Sequence, residues 1–351
     1  MEKKRQIAAV LILLALIGVI AYRHSTGKDL EKYEASFFDV FDTQTQIIGY
    51  ASSKEQFSEQ MSLIKDKFQY YNDLYDIYHD YEGMNNIKTI NDNAGIQPVK
   101  VDEEIIELLK LGITMDEKTD GNMNIAMGSV LSIWHDYREA GSEDPDSAEL
   151  PPMDELERAA EHTDIHNIVI DEEASTVYLT DPDMSLDVGS IGKGYAVQKV
   201  AEYAKNELGI QYMLFSVGGN VCAIGGHPDG SAWAVGIQNP DVESDQAYLK
   251  KVEVQDLSVV TSGNYQRYYT VDGKRYCHII NQDTLMPADN FASVTIITND
   301  SGMADAYSTA VFNMPLAEGM EFVNQLDGVE AMWILEDGSI QYSDGFEEYT
   351  R

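Results

Sequence analysis

The sequence predicts an α/β (α+β) fold: one interlocked domain in two lobes, with mixed or antiparallel sheets flanked by helices. Three observations carry this expectation. Apolar residues recur near the 3.6 period in several stretches, as in Phe57, Met61, Ile64, Phe68 and Tyr71, which is the pattern of an amphipathic helix. Short runs rich in β-branched and aromatic residues, such as 212–217 and 293–297, read as strands between glycine-containing turns. No internal repeat or low-complexity tract divides the chain, and 351 residues are ample for one large core.

Taken in order, the chain opens with Lys3, Lys4 and Arg5 ahead of the apolar run Ile7–Tyr22. A basic flank followed by an apolar run fits a secretory signal or a single membrane anchor, and no small-x-small cleavage site stands out. Residues 1–23 are therefore read as an uncleaved anchor, a cleaved signal being the alternative, with the following domain on the extracytoplasmic face. Residues 24–35 read as a polar tether and 36–351 as the folded domain. Within it, 36–50 reads as a strand pair or long strand, and Ser53 caps the first helix. The Tyr-rich stretch 78–92 fits neither periodicity. A second helix starts near Asp102, and the glycines of 119–134 mark a loop. A polar excursion (141–153) precedes a helix at 154–162, strands near 168–170 and 177–180, and a helix from about Tyr195 to Leu208. Strands and turns then alternate until two closing helices, 303–312 and 316–326.

Charge narrows the function. With 24 basic and 60 acidic residues the formal net charge is −36, which excludes a nucleic-acid binder, since phosphate backbones need a cationic footprint. Any anionic ligand must be held by local devices: a metal ion, backbone N–H groups or an isolated lysine. Cys222 and Cys277 form no CxxC, so they make no zinc site; whether they pair stays open.

Three stretches could carry chemistry. DVGSIGKGY, Asp187 to Tyr195, lacks the spacing of a dinucleotide fingerprint or a P-loop, yet its glycines expose N–H donors at a helix start, and Lys193 adds a point charge. A plain glycine turn with a surface lysine fits it as well. Asp305 and Thr309 stand at i and i+4, so their oxygens share one helix face, the hard-oxygen type that Mg²⁺ prefers; an Asp placed to favour the helix dipole is the alternative. His278 alone among the histidines sits in an apolar, β-like run, where an imidazole can be held as a proton acceptor or simply packed in the core.

In their order, these stretches resemble the signatures of the FAD:protein FMN transferases, the ApbE family. The run DVGSIGKGYAVQKVAEYAKNELGIQYMLFSVGGNVCAIG, the loop GNMNIAMGSVLSIW, the TSGNYQRYY…HIIN segment and the late ADAYST all take part, over about 36–345. The resemblance implies a two-lobed relative of the T-fold with FAD in the cleft between lobes. It implies Mg²⁺ held by Asp305, Thr309 and the backbone carbonyl of Ser190, and FAD contacted by Phe41, Tyr81, Asn122, Met123, Asn124, Asp187, Lys193 and Ile279. Tyr78 is the alternative to Tyr81. His278 matches the base that deprotonates the acceptor hydroxyl. The implied reaction places FMN on a Thr or Ser of a target flavoprotein, in related enzymes often a membrane redox subunit, and releases AMP. An FAD pyrophosphatase and a non-catalytic FAD-binding surface protein are the rival readings. The chain departs from the family pattern at Phe41-Asp42-Thr43, where many members read Met-Gly-Thr, at Asn124, where Asp is common, and at Asn220, where Gly-Gly-Asp is common.

Overall fold

The structure, a computed structural model, describes residues 30–350, so the expected anchor and the first part of the tether lie outside the described residues. The rest of that tether is not a tether: β1 (Glu31–Val40) begins at once, because Tyr33, Ala35 and Phe37 alternate with the polar Lys32, Glu34 and Ser36 and pack on the core. A two-residue turn at Phe41-Asp42 leads into β2 (Thr43–Ala51), antiparallel to β1. Ser53 accepts the Gln56 N–H at 3.2 Å and caps α1 (Lys54–Tyr75), which buries Phe57, Met61, Ile64, Phe68 and Tyr71 as their spacing requires. The stretch without periodicity, 78–92, does contain a helix, α2 (Ile87–Asp92). It is set by a capping box between Asn86 and Thr89 rather than by an apolar stripe. After β3 (Val99–Lys100), Asp102 caps α3 (Glu103–Lys118).

The expected loop 119–134 gives its second half to α4 (Gly128–Glu143), where Val130 and Trp134 lie one turn apart and are buried. Its glycine misleads as a break. Gly128 is there because a Cβ would stand 2.4 Å from the Ser185 carbonyl oxygen, so helix and neighbouring chain meet backbone to backbone. There follow α5 (Met153–Ala160), β4 (Ile168–Asp171), β5 (Thr176–Leu179), α6 (Gly192–Asn206), β6 (Met213–Val217) and β7 (Asn220–Ile224). The chain continues through β8 (Trp233–Gln238), β9 (Tyr248–Val254), β10 (Ser258–Gly263), β11 (Tyr268–Val271), β12 (Lys274–Cys277) and β13 (Phe291–Thr298). It closes with α7 (Ser301–Asn313), α8 (Leu316–Asn324), β14 (Glu330–Leu335) and β15 (Ile340–Tyr342).

An 8-stranded antiparallel sheet in the order β1-β2-β6-β7-β10-β13-β14-β15 is the backbone of the fold. Phe215, Val260, Val294, Ile296 and Trp333 point to the face covered by α1, α6 and α7. Val259, Ile297, Met332 and Ile334 point to the opposite face, beneath the β8–β9 hairpin and Phe346. With both faces covered, every residue of β13 is buried. A small lobe stands apart, in which α4, α5 and the β11–β12 hairpin close over Val130, Trp134, Leu156, Tyr269 and Ile280. Cys222 and Cys277 are buried and free, so they do not pair. Among the described residues no helix is long and apolar enough to cross a membrane.

Candidate active site

A cleft of about 710 Å³ runs between the large and small lobes, and all of the residues expected at the site line it. Its large-lobe wall is the DVGSIGKGY stretch. The helix there starts at Gly192, earlier than its apolar stripe indicates, so the glycines form its entry and first turn. Asp187 Oδ1 accepts the Gly189 N–H at 2.8 Å, which fixes the bend before the helix. Burial lifts the Asp187 carboxyl above the usual carboxylate range, with the Gly189 N–H, His135 and Arg138 opposing it. At Gly194 a Cβ would meet the Ser301 carbonyl at 2.3 Å and Asp305 Cβ at 2.4 Å, so only glycine lets α6 and α7 touch here. The contact places Asp305 Oδ2 as acceptor of the Gly194 N–H at 2.7 Å.

Asp305 is buried, with 4% of its surface exposed. Lys193 lies 3.7 Å from its other oxygen and donates to Asn220 Oδ1 at 2.6 Å, so the asparagine that departs from the family pattern receives the lysine. Burial pushes the Asp305 pKa upward, against the pull of Lys193, the Gly194 N–H and Asn220. Thr309, one turn on, interrupts a run of otherwise buried residues and opens to the cleft, and the buried Ser190 hydroxyl oxygen has no partner. Buried carboxylate, cleft-facing hydroxyl and backbone carbonyl make a donor set that fits a hard divalent cation.

The small lobe supplies the opposite wall. His278 is not inside a strand as its apolar neighbours imply: β12 ends at Cys277, and His278 stands half-buried at the cleft. The strand's register leaves it there because Cys277, Ile279 and Ile280 take the core positions. The Arg267 carbonyl accepts both the His278 backbone N–H, at 3.1 Å, and the ring Nδ1–H, at 3.2 Å. A carbonyl can only accept, so Nδ1 carries the proton and Nε2 is the free acceptor. Burial, then the charges of Arg267 and Arg138, push the His278 pKa down to about 4, so the ring is neutral at physiological pH. On α4, Trp134 donates its indole N–H to the Leu285 carbonyl at 2.9 Å, and Arg138 donates to His135 Nδ1 at 2.8 Å.

The remaining expected contacts line the cleft between these walls. The Asn122 carbonyl accepts from Asn313 Nδ2 at 3.1 Å, and Met123 is fully buried. Asn124 spends its amide on the backbone, donating to the Thr163 carbonyl at 3.1 Å and accepting from the Ala126 N–H at 2.7 Å. The Phe41 N–H donates to Asn72 Oδ1 at 2.8 Å, and the Ile279 carbonyl accepts the Ala288 N–H at 2.9 Å. Tyr81 donates its hydroxyl to Asp76 at 2.7 Å, while Tyr78, 53% exposed, sets its ring 5.3 Å from that of His135; both tyrosines line the cleft. Sequence reading missed Arg138, Arg267, Asn72 and Asn313. The Val130, Trp134, Arg138 spacing was visible, but treating the glycines as loop markers hid the helix that presents Arg138. A second acidic group, His162 with Asp181 and Asp183, lies outside the cleft, where His162 and Asp181 pair at 2.9 Å.

A sequence profile of the ApbE family matches residues 41–333. The chain belongs to the ApbE family. It is 32% identical over 279 residues to the FAD:protein FMN transferase of Treponema pallidum, covering 76% of this chain and 75% of that protein. It is 28% identical over 302 residues to a protein of the same name from Klebsiella pneumoniae, covering 86% of this chain and 91% of the other. Among solved structures, the ApbE protein of Thermotoga maritima superimposes with a TM-score of 0.79 at 29% identity, over 92% of this chain and 100% of that one. The flavin transferase ApbE of Vibrio cholerae shares the fold, with a TM-score of 0.76 at 22% identity. The family match runs from the β1–β2 turn to β14 and so takes in both walls of the cleft in this ApbE chain.

Proposed function

We propose that this chain is an Mg²⁺-dependent FAD:protein FMN transferase that esterifies a Thr or Ser hydroxyl of a target flavoprotein and releases AMP. The observation that carries the reading is the two-walled cleft: a neutral histidine with a free Nε2 on one side, and Asp305, Thr309 and Ser190 on the other. Its occurrence in a member of the ApbE family ties that chemistry to flavin transfer.

Asp305, Thr309 and the Ser190 carbonyl would hold Mg²⁺, which when bound neutralises phosphate charge that a −36 chain cannot otherwise tolerate. The residues of the chain do the rest. Lys193 and the N–H groups at the start of α6 draw the FAD diphosphate to the large-lobe wall. Asn122, Met123, Asn124, Ile279 and the residues around Phe41 and Tyr81 enclose the rest of the nucleotide and keep water out. His278 Nε2 takes the acceptor's hydroxyl proton as its oxygen attacks phosphorus. The basic and apolar N-terminal segment supports an anchored, extracytoplasmic placement, where a membrane redox subunit is a fitting acceptor.

The test is incubation of the purified chain with FAD, Mg²⁺ and an acceptor domain. Flavin fluorescence retained on the acceptor after denaturing electrophoresis, with AMP in equal amount, is the expected result. Free FMN and AMP with an unlabelled acceptor would make the protein a pyrophosphatase. FAD binding with no AMP would make it a binding protein.

A further inference from the structure

We propose that Arg138 and Arg267 form a guanidinium clamp on the phosphoryl group being transferred, facing the Lys193–Asp305 wall from the small lobe. The inference rests on the FMN-transfer reading of the cleft and assigns to two further residues the charge stabilisation of its transition state.

Three observations converge on it. The first is charge economy. Lys193, Arg138 and Arg267 are the Lys and Arg residues lining the cleft. Lys193 is satisfied by Asn220 and Asp305, whereas neither arginine ion-pairs with a carboxylate among the described residues, in a chain with 60 acidic side chains. Several basic residues elsewhere pair with acids, as Lys88 does with Asp80 and Asp92, Lys110 with Glu107 and Glu172, and Arg158 with Asp154, while Lys67 and Arg275 lie over tyrosine rings outside the cleft. Asp187 and Glu139 act on Arg138 only through their charge, without a salt bridge, so both guanidinium groups keep donors in the cleft for an anion that the chain does not supply.

The second is anchoring. Arg138 is half-buried and oriented by His135 Nδ1, while His135 Nε2 lies 3.1 Å from Glu139 Oε1. That chain fixes one face of the guanidinium and leaves its other donors free. Arg267 is held through its backbone, the carbonyl that carries both His278 hydrogen bonds. The base and both arginines are therefore one unit of the small lobe.

The third is the fit to the reaction. The acceptor oxygen forms a bond to the FMN phosphorus, and the bond from that phosphorus to the bridging oxygen breaks. AMP leaves with the bridging oxygen and its electron pair, and the hydroxyl proton passes to His278 Nε2. Negative charge spreads over the oxygens of the phosphoryl group as it crosses, and planar, multiply donating guanidinium groups stabilise that charge. Burial keeps the imidazole neutral before substrate arrives, and the same two arginines add to it. Once their charge is matched by phosphate, that part of the opposition to protonating His278 is lifted while burial remains, so the base gains strength when it is needed.

The test compares the full chain with Arg138→Gln, Arg267→Gln and the corresponding Lys variants. Single-turnover FMN transfer is read alongside the FAD Kd, measured by flavin fluorescence, and thermal melting reports folding. Removal of a transition-state arginine costs about 10³–10⁵ in rate where it has been characterised. Each Gln variant is expected to lose about 10²-fold or more in rate with less than a threefold change in Kd, and each Lys variant to recover part of it. An unchanged rate in the folded Gln variants, or a loss lying wholly in Kd, would overturn the clamp. If a Gln variant does not fold, its Lys variant decides: a folded Lys variant with wild-type rate and Kd overturns the assignment for a bidentate arginine. A wild-type chain that makes no AMP and labels no acceptor would instead sink the transferase reading itself.

Discussion

Phe41 and Asp42 hold left-handed backbone, with φ of 53° and 48°, in the turn that presents Phe41 to the cleft. A two-residue hairpin turn of type I′ needs positive φ at both positions, and glycine adopts it without steric cost. The Met-Gly-Thr pattern common among relatives thus has a conformational reason, and this chain accepts strain where they have glycine. Asp42→Gly is expected to stabilise the fold by about 0.5–1 kcal/mol, measured by urea denaturation; a loss of stability would show that the aspartate contributes more than it strains. At His278 the expectation concerns pH. With the folded-state pKa down to about 4, the rate constant kcat/KM should be level between pH 8 and 5 and fall only near pH 4. The linkage has a definite sign. A histidine whose pKa is lowered on folding lets the unfolded chain bind the proton first, so stability declines as pH falls from about 6.5 towards 4. His278→Gln should remove that part of the decline and reduce transfer by about 10²–10⁴-fold while FAD still binds. An acid limb at pH 6.5 in the wild-type profile would contradict the neutral, depressed imidazole.

Helix α6 and helix α7 meet start to start, and Gly194 is the contact. Gly194→Ala is expected to force the helices apart at a cost of about 1–3 kcal/mol, and to displace Asp305 from its backbone donor. Transfer should then need far more Mg²⁺, read as a rightward shift of the metal titration; an unshifted titration would free Asp305 from the role. Asp305→Ala should abolish Mg²⁺-dependent transfer. Much of this was legible before the structure. The stripes of α1 and α3, the Ser53 cap and the helix start near Asp102 are stated locally, so they read correctly. Asp187, Lys193, His278 and Asp305 lie in short ordered motifs, so these residues that line the cleft could be named from sequence. Features decided by distant neighbours could not. Gly128 and Gly194 look like breaks but are helical, and only Ser185 and Asp305 show why. α2 is made by a polar capping box, which apolar periodicity does not detect. Arg138 and Arg267 look like ordinary basic residues until their lack of acidic partners is seen in space.

At the scale of the whole molecule, charge sets the terms of encounter. A net charge of −36 repels FAD at a distance, and the cations of the cleft act only within about a Debye length, ~10 Å at 0.1 M salt. Raising salt from low to physiological strength should therefore speed FAD association, followed by stopped-flow fluorescence; a slowing would mean that the cleft's local field dominates. The sheet order also fixes when the protein can begin to work. Thr45 in β2 pairs with Val217 in β6, and among the described residues β1 pairs with β2 alone, so these two strands wait for more than half the chain before they join the sheet. Asp305 and Thr309 arrive later still, in α7. A fold dominated by such distant pairings closes slowly, and its cleft is assembled last, from segments that span nearly the whole chain. FAD thus has no complete site to bind on a chain that stops before α7, and the nucleotide can select only for one that has passed it.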